Sequence, residues 1–78
     1  MSMMVRQIRE QLLTYDAEFQ RLAVEHNRYD EQLQELTNAP YVNAENLLLE
    51  SKLKKKKLRV KDEMERRIAL AAQLSITH

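Results

Sequence analysis

A stripe of residues spaced alternately three and four apart limits what the first half of this chain can fold into. Such spacing returns to one side of a helix, so it predicts a helix with a single apolar face. The members of the stripe are Val5, Ile8, Leu12, Tyr15, Phe19, Leu22, His26, Tyr29, Leu33 and Leu36. We therefore predict one coiled-coil-like helix over about residues 3–38, with Tyr15, Phe19 and Tyr29 as core aromatics.

The end of this helix is predicted from the only proline of the chain. Pro40 cannot continue a helix and biases Ala39 away from the α region. Asn43 then stands where its side-chain oxygen can cap a new helix. With no glycine in the sequence, long helices joined by a short turn are favoured. We predict a turn over about residues 39–43 and a second helix over about residues 44–75.

The second helix has a less regular stripe, which includes a lysine. Its members are Leu49, Leu53, Lys57, Val60, Met64, Ile68 and Ala71. A turn of about five residues folds two helices back on each other, and pairs residues whose numbers sum to about 81. The two apolar stripes then meet in order. We predict an all-α fold over residues 1–78, a single domain of two long antiparallel helices that form a helical hairpin.

The same pairing places the irregular members of both stripes at one level. His26 falls opposite Lys56 and Lys57, with Asp30 one turn further along the first helix and Lys61 one turn further along the second. We interpret these five residues as a polar layer that sets the alignment of the helices. Two alternatives for His26 are a pH-sensitive element and a catalytic or metal-binding role.

Charge is distributed unequally between the two halves of the chain. Residues 1–38 carry a net charge of −3 and residues 44–78 a net charge of +4. The basic segment of the second helix consists of Lys52, Lys54, Lys55, Lys56, Lys57, Arg59 and Lys61. We expect it to pair with the acidic residues at the same level of the first helix, which are Glu25, Asp30, Glu31 and Glu35. The alternative is that it binds a polyanion, either nucleic acid or an anionic surface.

The two chain ends carry the greatest density of apolar residues. In a hairpin these ends meet, and a helix end that is apolar on nearly every side is usually covered. The candidate oligomer surface consists of Val5, Ile8, Ile68, Leu70 and Leu74. We expect a homo-oligomer, with a four-helix dimer favoured, because one hairpin of this size has a small core.

Several of these residues carry a resemblance to a known family. They are Phe19, Leu22, Glu25, His26, Tyr29, Asp30, Leu33, Leu36, Leu53 and the run Lys57-Leu58-Arg59-Val60-Lys61-Asp62-Glu63-Met64. Over about residues 18–68 the sequence resembles the YdcH-like family of small bacterial proteins, a domain of unknown function. The resemblance implies short cytoplasmic helical hairpins or coiled coils, and it carries over no catalytic residues.

No motif of the sequence points to catalysis. We find no phosphate loop, no nucleophile–base arrangement and no metal-ligand spacing, and the chain has no cysteine. We therefore expect no enzyme, no metal and no cofactor. No apolar run is long enough for a bilayer span or a signal peptide, so we expect a cytoplasmic protein without membrane association. The favoured function is a structural or protein–protein interaction module.

Overall fold

The computed structural model describes residues 3–39 and 43–76, and the side chains of residues 4–39 and 43–74. These residues form three α-helices, which confirms the predicted all-α class. The helices are α1 (Met3–Tyr15), α2 (Ala17–Thr37) and α3 (Ala44–Ile76). Residues 40–42 of the predicted turn lie outside the described residues.

The prediction of one continuous first helix is wrong at Asp16, where the backbone is extended (φ −105°, ψ 106°). The Asp16 carboxylate accepts a hydrogen bond from the Phe19 N–H at 3.1 Å, so Asp16 is the N-cap of α2. On the other side of the break, Gln20 Nε2 donates to the carbonyl oxygens of Leu13 at 2.8 Å and Thr14 at 3.1 Å. Side chains thus replace part of the helical hydrogen bonding that the break removes.

The break also overturns the prediction that Tyr15 is a core aromatic. Tyr15 is the last residue of α1, and its side chain is 85% exposed. The neighbouring members of the stripe still face inward, since Ile8 and Phe19 are buried and Leu12 is half-buried. The spacing therefore predicts the inward face correctly on both sides of Asp16, but it fails at Val5, which is exposed, and at Tyr15, which ends α1.

The third helix begins at the predicted cap. Asn43 Oδ1 accepts a hydrogen bond from the Asn46 N–H at 2.8 Å, which confirms Asn43 as the capping residue. Glu45 follows in the first turn, where the helix dipole favours a negative charge. The helix then runs without interruption from Ala44 to Ile76, against a prediction of about 44–75.

The third helix packs antiparallel against the first two. Its residue Arg67 pairs with Asp16, whereas the earlier Lys57 pairs with the later Asp30. The main cluster of buried side chains joins all three helices and consists of Ile8, Phe19, Leu22, Val60, Met64 and Ile68. The molecule measures 54 × 23 × 17 Å, so it is a narrow rod whose core is bounded by two long open edges.

Candidate functional site

One predicted pair of the polar layer is present. Lys57 Nζ donates a hydrogen bond to Asp30 Oδ1 on one open edge of the rod. This hydrogen bond lowers the pKa of Asp30 below its ordinary value of 3.8, and desolvation acts in the opposite direction. The charges of Lys57 and His26 lower the pKa of Asp30 further. The interaction therefore holds Asp30 in its ionised form.

The other three predicted members of the layer are distributed differently. His26 is half-buried one turn before Asp30, close enough for its charge to act on that carboxylate. Lys56 lies on the opposite edge of the rod, and Lys61 is exposed without an ion pair to any described residue. Successive helix residues point about 100° apart, so Lys56 and Lys57 cannot join the same layer.

A second pair between the helices was missed by the sequence analysis. Arg67 Nη1 lies 3.3 Å from Asp16 Oδ2, so α3 contacts the break between α1 and α2 directly. Both side chains are about one-third exposed, at 34% and 28%. The Arg67 Nε atom is buried without a hydrogen-bond partner. The pairing rule places these two residues nearly opposite each other, but it does not predict that they form an ion pair.

The edge opposite the Asp30–Lys57 pair forms a groove between α2 and α3. Its volume is about 790 Å³. Its lining combines apolar side chains (Val24, Tyr29, Leu49 and Leu53) with polar ones (Arg21, Glu25, Arg28, Gln32 and Lys56). The Tyr29 hydroxyl donates to Glu25 at 3.1 Å. Burial, followed by this bond, raises the pKa of Tyr29 above 10.0.

The two arginines of the groove differ in their partners. Arg21 pairs with Glu18 and, at 3.3 Å, with Glu25, so its charge is compensated within α2. The hydrogen bond from Arg21 lowers the pKa of Glu18. Arg28 forms no ion pair with any residue that the structure describes. The groove therefore has uncompensated positive charge from Arg28 and Lys56.

The predicted pairing between the basic segment and the acidic residues of the first helix is wrong for most of these residues. Of the four carboxylates predicted as partners, only Asp30 binds a lysine of α3, and Glu25 binds Arg21 instead. Lys54 pairs within its own helix, with Glu50 at 3.0 Å. The basic residues without an ion pair to a described residue are Lys52, Lys55, Lys56, Arg59 and Lys61.

The predicted oligomer surface is divided between core and surface. Ile8 and Ile68 are buried at 7% and 8% exposure, so they belong to the core of the single chain and not to a free surface. Val5, Leu70 and Leu74 are exposed at 42%, 54% and 63%. A dimer surface at this end would therefore use these three residues and the neighbouring Met4, which is also exposed.

A second group of exposed apolar residues lies near the start of α3. Leu47, Leu48 and Leu49 are exposed at 56%, 60% and 46%. The rule that paired residue numbers sum to about 81 places Leu48 opposite Leu33, and Leu49 belongs to the predicted apolar stripe, so the exposure of this group was not predicted. The available signal was the run itself, because three consecutive helix residues spread over about 200° and cannot all face one neighbour.

The described residues form neither a metal-binding cluster nor a membrane span. No group of three or more His, Asp or Glu side chains among them is arranged to hold a metal ion. None of the described helices combines the length and the apolar character that a bilayer span requires.

The fold and its edges define a class of small all-α protein in which paired helices present charged and apolar surfaces. The family model described as "Protein of unknown function (DUF465)" matches residues 19–68. The chain belongs to this family, with which the YdcH-like resemblance is consistent. The match begins just after the break at Asp16, so it covers most of α2 and α3. Comparisons with curated proteins and with solved structures returned no match.

Proposed function

We propose that this protein is a non-catalytic helical hairpin that acts as a protein–protein interaction module and forms a homodimer. The dimer contact is the apolar end, which we define as Met4, Val5, Leu70 and Leu74. The observation that carries the proposal is the amount of surface that a single chain leaves exposed.

The accessible surface of the chain is 6410 Å². A compact monomer of 9.3 kDa is expected to expose only about 5,000 Å². The difference, about 1,400 Å², exceeds the roughly 800 Å² that each partner buries in a standard interface. Phe19 is the only described side chain of the core that is fully buried. A partner would therefore provide burial that one chain lacks.

A second copy of the chain fits the apolar end better than an unrelated partner does. Ile8 and Ile68 lie in the same buried cluster, which brings the start of α1 next to the end of α3. The four exposed side chains of the apolar end are all uncharged. Two such surfaces related by a two-fold axis bury each other without placing like charges together. The result is the four-helix type of arrangement that completes small helical cores.

Sedimentation equilibrium of the wild-type chain and of Leu70→Glu tests the dimer. Burial of the exposed part of Leu70 contributes about 1 kcal/mol per copy. Both copies lose this contribution, so we expect the dimer dissociation constant to rise by about 30-fold. The matched control is Leu58→Glu, since Leu58 is 58% exposed on α3 but lies away from the apolar end.

The outcomes distinguish the proposed contact from other forms of association. We expect wild-type and Leu58→Glu chains to be dimers at micromolar concentration and Leu70→Glu to be a folded monomer, with helicity checked by circular dichroism. A wild-type chain that is monomeric at micromolar concentration would refute the proposed dimer. Equal dissociation of both variants would refute its location at the apolar end.

A further inference from the structure

The uncompensated basic residues of α3 collect on one side of the helix. Lys52, Lys55, Lys56 and Arg59 follow the spacing i, i+3, i+4 and i+7, which confines them to an arc of about 100°. We call these four residues the cationic face. Lys54 and Lys57, which pair with Glu50 and Asp30, point out of this arc. The surplus charge of the basic segment is therefore concentrated rather than distributed around the helix.

The cationic face forms no ion pair with any described residue. It extends over about 10 Å of helix, and the sequence contains no acidic residue between Glu50 and Asp62. Each member has others three and four residues away or directly adjacent in sequence, so the four charges repel one another in the free protein. An anion bound along the face would relieve this repulsion.

A fifth cation adjoins the face from the other side of the groove. Arg28 of α2 and Lys56 of α3 line the same groove, and neither forms an ion pair with a described residue. Arg21, about two helical turns before Arg28 in the same groove, is compensated by Glu18 and Glu25. The positive surface therefore widens from one helix to two at the level of Lys56.

We propose that the cationic face, with Arg28, binds the phosphate backbone of double-stranded nucleic acid without sequence specificity. Lysine is a hydrated point charge that suits backbone contacts, and a row of such charges along a straight element can follow a row of phosphates. The face holds no Asn or Gln to read adenine and no Asp or Glu to read cytosine.

Two other polyanionic partners fit the surface less well. Single strands are bound through aromatic stacking platforms, but no aromatic residue lies between Lys52 and Arg59, and the exposed Tyr15 lies at the end of α1. Binding to an anionic membrane surface is strengthened by apolar side chains that insert beside the cations. Between Lys52 and Arg59 the only exposed large apolar residue is Leu58, which lies outside the arc of the face.

The test is fluorescence anisotropy with a labelled 20-base-pair duplex of mixed sequence, in 50 to 200 mM KCl. Four to five phosphate contacts predict a slope of log K against log[salt] of about −4. The double variant Lys52→Gln/Lys56→Gln removes two contacts, so its slope should be less steep by about 1.8 and its affinity lower by about tenfold.

The matched control is Lys54→Gln/Lys61→Gln, which removes the same charge from outside the face and leaves the Asp30–Lys57 pair intact. We expect it to keep the wild-type slope, and circular dichroism verifies that both variants are helical. Equal weakening by the two variants would overturn the proposal, because net charge would then explain the binding. No duplex binding by the wild-type chain would also overturn it. So would tighter binding of a 20-nucleotide single strand or of vesicles containing phosphatidylserine.

Discussion

Lys57 interrupts the apolar stripe of α3, and its ammonium group binds Asp30 on α2. The sequence predicted that Lys57 would lie at the level of His26, one turn before Asp30. The lysine side chain is about as long as the rise of one helical turn, so it reaches a carboxylate one turn away from the position that its Cα faces. The level of such a contact can be predicted from spacing, but the choice among several carboxylates on one helix cannot.

The ion pair predicts a defined dependence of stability on acid. Because the pKa of Asp30 is lowered in the folded chain, its contribution to the free energy of unfolding is present above the unfolded pKa. This contribution is lost as the pH falls through the lower, folded pKa. We expect Asp30→Asn to lose less stability than the wild-type chain between pH 5 and pH 2.5 in urea unfolding.

The control for this titration is Glu31→Gln, which neutralises an exposed carboxylate on the same helix that binds no described residue. It should retain the acid dependence of the wild-type chain. An Asp30→Asn variant with the full wild-type loss of stability would show that the pair with Lys57 does not carry the effect.

At the scale of the elements, the two interruptions of the helices differ in how far they could be predicted. Pro40 ends a helix by covalent geometry, since it lacks an N–H and restricts the residue before it. Asp16 has no such constraint, and the stripe of threes and fours continues through it. Its break depends on side-chain hydrogen bonds to Phe19, on the bonds from Gln20 and on Arg67 of a distant helix. Of these partners only Arg67 is distant in sequence, and local spacing does not reveal it.

Substitution at Asp16 separates the two roles of its carboxylate. Asp16→Asn retains a capping oxygen but removes the charge that faces Arg67, whereas Asp16→Ala removes both. We expect Asp16→Ala to lower the free energy of unfolding by about 1–2 kcal/mol and Asp16→Asn to lower it by less. Urea unfolding measures both changes. Equal losses would show that the cap itself contributes nothing.

At the scale of the whole molecule, the fold class and most positions of the inward faces were predicted correctly, but the pattern of charge pairing was not. Buried apolar side chains such as Leu22 and Val60 have few alternative positions, because only one orientation of each helix buries its apolar stripe. An exposed charge has many possible partners of similar interaction energy, and each such pair contributes only about 0–1 kcal/mol to stability. Glu25 thus binds Arg21 within α2 and not a lysine of α3.

The rod should also differ in local stability along its length. Ile8 is the only residue of α1 in the main buried cluster, whereas α2 and α3 contribute the remaining members. Local opening of α1 therefore exposes less apolar surface than opening of α2. In native-state hydrogen exchange of the Leu70→Glu chain, we expect α1 amides to exchange with a lower opening free energy than the amides near Leu22 and Val60. Equal opening energies across the helices would contradict this expectation.

At Asp16, hydrogen bonds from side chains replace part of the backbone hydrogen bonding of a helix, and this break affects how the helices form. Helix growth adds one bond to an existing turn, so it proceeds rapidly only while the backbone ladder is continuous. The ladder is interrupted between Tyr15 and Ala17, and growth of α2 toward the N-terminus therefore stops at its own cap. The 13 residues of α1 require a separate nucleation event, so we expect α1 to form after α2 and α3 provide a surface against which it packs.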